Sequence, residues 1–316
     1  MDDSVAKFEA AFSGNKKICI VKNKKNEGYA GGNNFGVRHA TSDYVLILNN
    51  DTSVRPGWLS ELVKAIEADP SHAAAESWVL EGDKIRIPLK NRFWTMGMGG
   101  YAVLCAKKQK QKKDYKPNNT SYPYTFYPSG CSFIFRRKLV KQPFDPDYFI
   151  YAEDTYLGWM LRLQGHQVVT APKSILDHQL GVVKRSNPKI MRKFTFLGER
   201  NKLTNFFIFP KLWTIIRLLP IILLNILCIN VLMPKKLPWR FKAYGWLLVH
   251  PQWILSKRRF VQRQRKITDK EFLRYMSCKL FEEERMTNHL AKSLVRFLNT
   301  LIYGYCWLVG LKTYEL

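Results

Sequence analysis

The sequence predicts an α/β domain, a sheet flanked by helices, followed by a helical region that is both apolar and basic. Three observations predict it. Short apolar runs rich in β-branched and aromatic residues alternate with stretches of helical periodicity as far as about residue 200. Several runs end directly in turns rich in Asn, Asp and Gly. From about Asn201 the alternation gives way to long apolar segments with basic borders, which places a boundary between a domain at 1–200 and a region at 201–316.

In chain order, a helix runs through Phe12 and Ile18 to Val21 forms a strand. The glycine-rich turn from Gly28 to Gly36 opens a helix over Asn33 to Ala40. Tyr44 to Leu48 is five consecutive apolar residues, the pattern of a strand covered on both faces as in parallel sheets. Pro56-Gly57-Trp58 starts a helix whose apolar face is Leu59, Leu62, Val63 and Ile66 and which ends at Pro70. Ser132 to Phe135 and Gln167 to Val169 are further strands. Between them a helix starts near Asp154, carries Leu157, Met160, Leu161 and Leu163, and stops at Gly165, a residue suited to a left-handed cap. Trp159, five positions after Asp154, faces nearly the other way and belongs to the core.

Composition restricts the function classes. The chain is 316 residues long and 46% hydrophobic, enough for a sizeable core plus an appendage. Its 51 Lys and Arg against 25 Asp and Glu leave a formal charge of +26, which calls for an anionic partner. Nucleic acid fits poorly: no helix-turn-helix, zinc-finger or RNA-binding aromatic pattern is present. The basic residues gather instead in blocks at Lys107 to Lys116, Lys235 to Lys242 and Lys257 to Lys266, two of them beside apolar stretches, which suits an anionic membrane leaflet. The first block reads as solvated surface. Six scattered cysteines without a CxxC pair imply reduced thiols, and the acidic start Met1-Asp2-Asp3-Ser4 is unlike a secretory signal, so a cytoplasmic location is expected.

Asn49-Asn50-Asp51, directly after the Tyr44 strand, lies where α/β sheets bind ligands, and Asp51 is placed to hold a metal-bound diphosphate. The same residues are also good turn and N-cap chemistry. Glu153-Asp154 at a helix start are favourable to the helix dipole by about 0.3–1 kcal/mol each, whatever else they do.

Three further motifs accompany this turn: Asn26-Glu27-Gly28-Tyr29-Ala30-Gly31-Gly32-Asn33-Asn34-Phe35-Gly36, then Asp147-Tyr148-Phe149-Ile150-Tyr151-Ala152-Glu153-Asp154, then His178. In this order and at these separations the set resembles the family 2 glycosyltransferases, and among them the rhamnosyltransferase-like enzymes of bacterial surface polysaccharide assembly, over most of the chain to about Arg265.

The resemblance implies a GT-A-like (Rossmann-like) mixed sheet and an enzyme that uses a dTDP-, UDP- or GDP-linked sugar donor with Mg²⁺ or Mn²⁺. Asp51 corresponds to the second aspartate of the family's DxD motif, with Asn49 in the place of the first, and His178 to a histidine that completes the metal shell. Asp154 corresponds to the general base, with Glu153 orienting the acceptor. Asn26, Gly28, Asn33, Asn49 and Asn50 fall on the donor side. The acceptor is a lipid-linked glycan or polysaccharide at the cytoplasmic face of a bacterial inner membrane. One base and no evident carboxylate nucleophile imply inversion of the anomeric centre. Family members begin with a strand, a helix and a second strand ending in an aspartate-serine turn, so the chain as written is expected to lack its first strands. A catalytically incomplete homologue acting as a membrane-bound assembly partner, and a basic nucleic-acid-binding protein, are the competing readings.

In the last third, Leu218 to Met233 is 16 residues without formal charge but contains Pro220, Asn225 and Asn230, short of the ~20 residues of a comfortable span. Leu298 to Leu311 is shorter. With Lys211, Trp213, Arg217, Lys235, Lys236 and Trp239 as borders, these read as helices lying in a membrane interface. A buried helix pair is the alternative.

Overall fold

The computed structural model describes residues 3–80, 92–106, 122–179, 187–286 and 288–316. The basic block Lys107 to Lys116 lies outside the described residues. Helix α1 (Ser4–Phe12) and helix α2 (Gly28–His39) precede strand β1 (Tyr44–Leu48) and strand β2 (Thr52–Val54). Then come helix α3 (Trp58–Glu67) and strands β3 (His72–Leu80), β4 (Arg92–Gly97), β5 (Ala102–Ala106) and β6 (Ser132–Arg136). Helix α4 (Glu153–Leu163) and strand β7 (Gln167–His178) complete the main α/β layer. The rest is mostly helical: α5 (Pro188–Ile208), α6 (Leu212–Leu232), α7 (Leu237–Val249), α8 (Pro251–Arg263), α9 (Asp269–Leu273), strand β8 (Met276–Ser277) and α10 (His289–Leu308).

The main sheet has the order β1-β6-β3-β7-β2, in which only β3 and β7 run parallel. Its middle is apolar on both faces: Phe133, Ile134 and Phe135 of β6 and Ala73 to Ala75 of β3 are buried. Where β7 meets Pro172 the register against β3 slips, from Ser77 opposite Ala171 to Trp78 opposite Ile175. An irregularity is where a strand accommodates a residue with no N–H to donate. A second sheet, β5-β4-β8, joins a hairpin to the C-terminal part.

Four expectations are corrected. The Tyr44 strand is an edge strand among the described residues, paired antiparallel to β6 alone, with alternating burial; a five-residue apolar run does not distinguish the two cases. Ile18, Ile20 and Val21 form no strand: they are exposed and have no ladder partner among the described residues. The helix expected over Asn33 to Ala40 starts five residues earlier, because Gly28, with φ of +71°, makes the turn alone and Gly31, Gly32 and Gly36 are already helical. The face expected for α3 holds for Leu62 and Ile66, but Leu59 is exposed and Trp58 and Ala65 are buried instead. Gly165 takes the left-handed φ of +81° after α4, as its position implied.

The expected division at residue 200 falls inside α5, and one apolar cluster runs from Val45 and Phe133 through Trp159 to Leu218, Ile302 and Leu311. α6 is 21 residues and contains an 18-residue stretch with a mean hydropathy of 2.4, long and apolar enough to cross a membrane, and a third of that stretch (33%) is buried against the protein. The basic block at 257–266 is partly turned inward. Lys257 pairs with Asp145 (2.6 Å) and Asp147 (2.8 Å), and Arg258 donates to the carbonyls of Phe207 and Pro210.

Candidate active site

The turn after β1 carries Asn49, Asn50 and Asp51. It is positioned from both sides: Asn49 N–H donates to the Cys131 carbonyl (2.9 Å), and Gln179 N–H donates to the Asp51 carbonyl (2.9 Å). Because β2 pairs with β7 with Thr52 opposite His178, the histidine at the end of β7 is brought to the aspartate. His178 Nε2 lies 3.2 Å from Asp51 Oδ1. Two ligands in adjacent positions of an octahedral cation with bonds near 2.1 Å are about 3 Å apart, so this pair fits one hard divalent ion. Among the described residues no group of three His, Cys, Asp or Glu side chains forms a closed metal site. A cation here would draw its remaining ligands from a bound diphosphate and water.

The second half of the site is the segment before α4. Phe149, Tyr151 and Ala152 have φ of 60°, 68° and 61°, left-handed values that cost non-glycine residues about 1–3 kcal/mol each. Such a backbone persists only where its surroundings fix it, and here α5 does so. Asn201, fully buried, donates to the carbonyls of Tyr148 (2.9 Å), Ile150 (3.2 Å) and Tyr151 (2.8 Å). Arg200 donates to the Asp147 carbonyl (2.6 Å), and Tyr148 O–H donates to Asn205 Oδ1 (2.6 Å). None of these α5 residues was singled out by sequence. The trace they leave there is a run of polar residues, Glu199 to Lys202 with Thr204 and Asn205, in a helix that packs against the core.

That strained backbone delivers two carboxyls to the first turn of α4. Glu153 is buried and its Oε2 has no partner among the described residues. Burial first, and the neighbouring Asp154 charge second, push its carboxyl well above the usual range, which favours the protonated form. Asp154 is pushed up to about 6 by burial, opposed by N–H donation from Thr155 and Gly130. The residue as a whole keeps partial exposure. A base of that strength is ionised at pH 7 yet basic enough to accept a proton.

The two halves meet on the loop 129–131. Cys131 anchors the Asn49 turn, while Gly130 donates to Asp154 and accepts from the Tyr29 hydroxyl. A Cβ on Gly130 would sit 3.2 Å from that hydroxyl and 3.7 Å from Asp154 Cβ. At the start of α2 the approach is closer still. A Cβ on Gly28 would lie 2.4 Å from the Phe149 carbonyl oxygen, so only glycine lets this helix reach the segment before α4.

Of the residues expected on the donor side, Asn26 accepts from Gly28 N–H (3.0 Å) and so starts the helix, and Asn33 donates to the Tyr29 carbonyl one turn back (2.9 Å). Two backbone amides at the start of α2 are engaged within the protein: Ala30 N–H donates to the Phe149 carbonyl and Gly31 N–H to the Glu27 carbonyl. The missed neighbour Asn34, buried, holds Phe144 through both its amide groups (2.8 and 3.1 Å). Asn50 is exposed and Asn49 half-buried beside Asp51.

Residues 1–144 match the family described as glycosyl transferase family 2. This part of the chain belongs to that family. The Glu153-Asp154 pair lies just beyond the matched stretch. The inactive polypeptide N-acetylgalactosaminyltransferase-like protein 5 of Macaca fascicularis is 41% identical over 54 residues, 17% of this chain and 12% of the relative. The crystal structure of GalNAc-T7 with UDP, GalNAc and Mn²⁺ superposes with a TM-score of 0.51 at 16% identity, over 66% of this chain and 40% of that one. A structure of S. aureus TarS 1-349 in complex with UDP-GlcNAc covers 99% of this chain and 78% of its own at 12% identity and a TM-score of 0.47. The chain therefore spans well under half the length of GalNAc-T7 and about an eighth of the curated relative. The family 2 fold is of GT-A type, a mixed α/β sheet flanked by helices.

One prediction concerns the scaffold. Asn201→Ala leaves three carbonyls without their donor and is expected to destabilise the fold by about 1–3 kcal/mol. Thermal unfolding together with faster amide exchange at 149–152 checks it. Unchanged exchange there would show that the turn is held by other means.

Proposed function

We propose that the chain is an inverting glycosyltransferase, moving a sugar from a nucleoside diphosphate donor to a lipid-linked or polysaccharide acceptor at an anionic membrane surface. The observation that carries this reading is the convergence of the Asp51–His178 pair and the Asp154 carboxyl on one loop, 129–131. The GalNAc-T7 likeness, with UDP and Mn²⁺ in that structure, supports the donor class and the divalent ion.

Displacement at an anomeric carbon needs a base on one face of the sugar and charge neutralisation at the leaving diphosphate on the other. Asp154, ionised above about pH 6, takes the proton of the acceptor hydroxyl. Glu153, whose protonated form is favoured by burial, orients the acceptor. Asp51 and His178 would hold Mg²⁺ or Mn²⁺, which when bound neutralises the departing diphosphate. Asn49 and Asn50, on the same turn as Asp51, and Asn26, Gly28 and Asn33 at the start of α2 are the residues assigned to the donor in this reading.

Membrane association is supported by unpartnered apolar stripes. Leu212, Ile216, Leu219, Leu223, Leu227 and Val231 of α6, and Leu290, Leu294, Phe297 and Leu301 of α10, are exposed at helical spacing while the opposite faces are packed. With a charge of +26 and exposed Lys235 and Lys236 beside α6, the surface suits an anionic leaflet at the cytoplasmic side of a bacterial inner membrane. The protein is expected to co-sediment with vesicles containing anionic lipid, partly reversed by salt, since each lysine or arginine near the surface contributes about 1 kcal/mol. Indifference to such vesicles would overturn this part.

Product stereochemistry tests the transfer itself. Incubation with a nucleotide sugar of known anomeric configuration should give the opposite configuration by NMR, and a retained product would contradict the single-base mechanism. Donor binding without turnover would instead favour the assembly-partner reading.

A further inference from the structure

A cavity of about 550 Å³ lies beside the catalytic segment, between the β4–β5 turn, residues Tyr151 to Thr155, α5, the C-terminal end of α6 and the start of α7. Its wall carries a buried charge cluster that the donor-side chemistry does not use. Glu199 accepts from Lys202 (3.1 Å), faces Arg240 (3.8 Å) and receives the Tyr244 hydroxyl (3.3 Å). All three charged side chains are buried. One carboxylate therefore faces two cations, and exposed Lys236 at the rim adds a third. A buried cluster with positive charge in excess of its carboxylate is stabilised by a further anion.

The fourth side of the cavity is apolar. Ile229 and Met233 line it, and they continue into Leu227, Val231 and Leu232 on the exposed face of α6. On the inner side Ala152 and Thr155 form the wall next to Asp154. A ligand filling this space has an anionic group against Lys202, Arg240 and Lys236, an apolar stem along α6 and a hydroxyl-bearing part directed at α4.

The geometry points to an acceptor site for a phosphate-bearing lipid, whose phosphate or diphosphate sits between Lys236 and Arg240 while its apolar chain leaves along α6. This rests on the glycosyltransferase reading and specifies the acceptor class for it. It also makes membrane binding and acceptor binding parts of one surface.

A water-soluble short-chain prenyl diphosphate, titrated calorimetrically into the full chain, tests the inference, with inorganic diphosphate as the second probe. The prenyl compound is expected to bind more tightly than inorganic diphosphate, and equal affinity would overturn the lipid source. Lys236→Glu, at an exposed position, should weaken prenyl diphosphate binding about tenfold or more, as loss of a charge-assisted contact does. Arg240→Gln should do the same from the buried end, and if that variant fails to fold, Lys236→Glu carries the test alone. Unchanged affinity in Lys236→Glu would overturn the site. Wild-type protein that hydrolyses nucleotide sugar but ignores prenyl diphosphate would sink this inference and leave the glycosyltransferase reading standing. Prenyl diphosphate binding without any nucleotide-sugar turnover would do the reverse.

Discussion

Asp154→Asn is expected to lower transfer by about 10²–10⁴, the usual contribution of a general base, with the fold and donor affinity retained. The substitution keeps the shape of the side chain and its place beside Thr155 and Gly130, so what it removes is the proton acceptor. The pH profile gives the same prediction independently. Because the Asp154 carboxyl is raised to about 6, the active, ionised form is lost as pH falls through that value, and wild-type kcat/KM should decline tenfold per pH unit below it. Residual activity in Asp154→Asn should lack that acid limb. Steady-state kinetics between pH 4.5 and 8, as about the accessible range for such carboxylates, measures both, and wild-type turnover in the variant would remove Asp154 from the mechanism.

Asp51→Ala should weaken cation-dependent donor binding by about 10–100-fold or more, the range seen when the support of a metal site is removed. Metal-free binding of the nucleoside should change little, because the proposed partner of Asp51 is the cation on the diphosphate. His178→Ala should act in the same direction and, in combination with Asp51→Ala, add little, since both act through one ion. Calorimetric titration of donor with and without EDTA reads this. Equal wild-type affinity under both conditions would contradict the metal assignment.

The places of the two acidic motifs in the fold were legible because their signals are local. Asn49-Asn50-Asp51 follows a five-residue apolar run, and Glu153-Asp154 opens a helix whose periodicity is clear. The partnership of Asp51 with His178, 127 positions apart in the chain, comes from the antiparallel pairing of β2, which Asp51 precedes, with β7, which His178 ends. What sequence did not show is what holds these groups. β3, at the centre of the sheet, begins His72-Ala73-Ala74-Ala75-Glu76, a helix-like composition that becomes a strand only because β6 and β7 flank it. The left-handed run Phe149 to Ala152 has no glycine or asparagine to announce it, since the requirement is met by Asn201, Arg200 and Asn205 on a helix some fifty positions later. The Glu199–Lys202–Arg240 cluster was hidden for the same reason: an i, i+3 ion pair on a helix ordinarily signals a solvated face, and only packing of α7 turns it inward.

Bordered by Arg217, the uncharged stretch from Leu218 to Met233 is 16 residues, short of the ~20 of a comfortable span. In the structure the helix runs from Leu212 to Leu232 and Arg217 stacks against Trp213, its guanidinium 5.2 Å from the ring centre. A charge carried over an aromatic ring at a helix end is compatible with a membrane interface, where such side chains reach toward water.

The central claim is that Asp51, His178 and Asp154 form one cation-dependent transfer site. The most direct measurement is nucleotide-sugar turnover by the full chain, across UDP-, GDP- and dTDP-linked donors with Mn²⁺ or Mg²⁺, in parallel for wild type, wild type with EDTA, and Asp154→Asn. Turnover of at least one donor is expected in the first, abolished in the second and lowered by about 10²–10⁴ in the third. Turnover that survives both EDTA and the loss of the Asp154 carboxylate would contradict it.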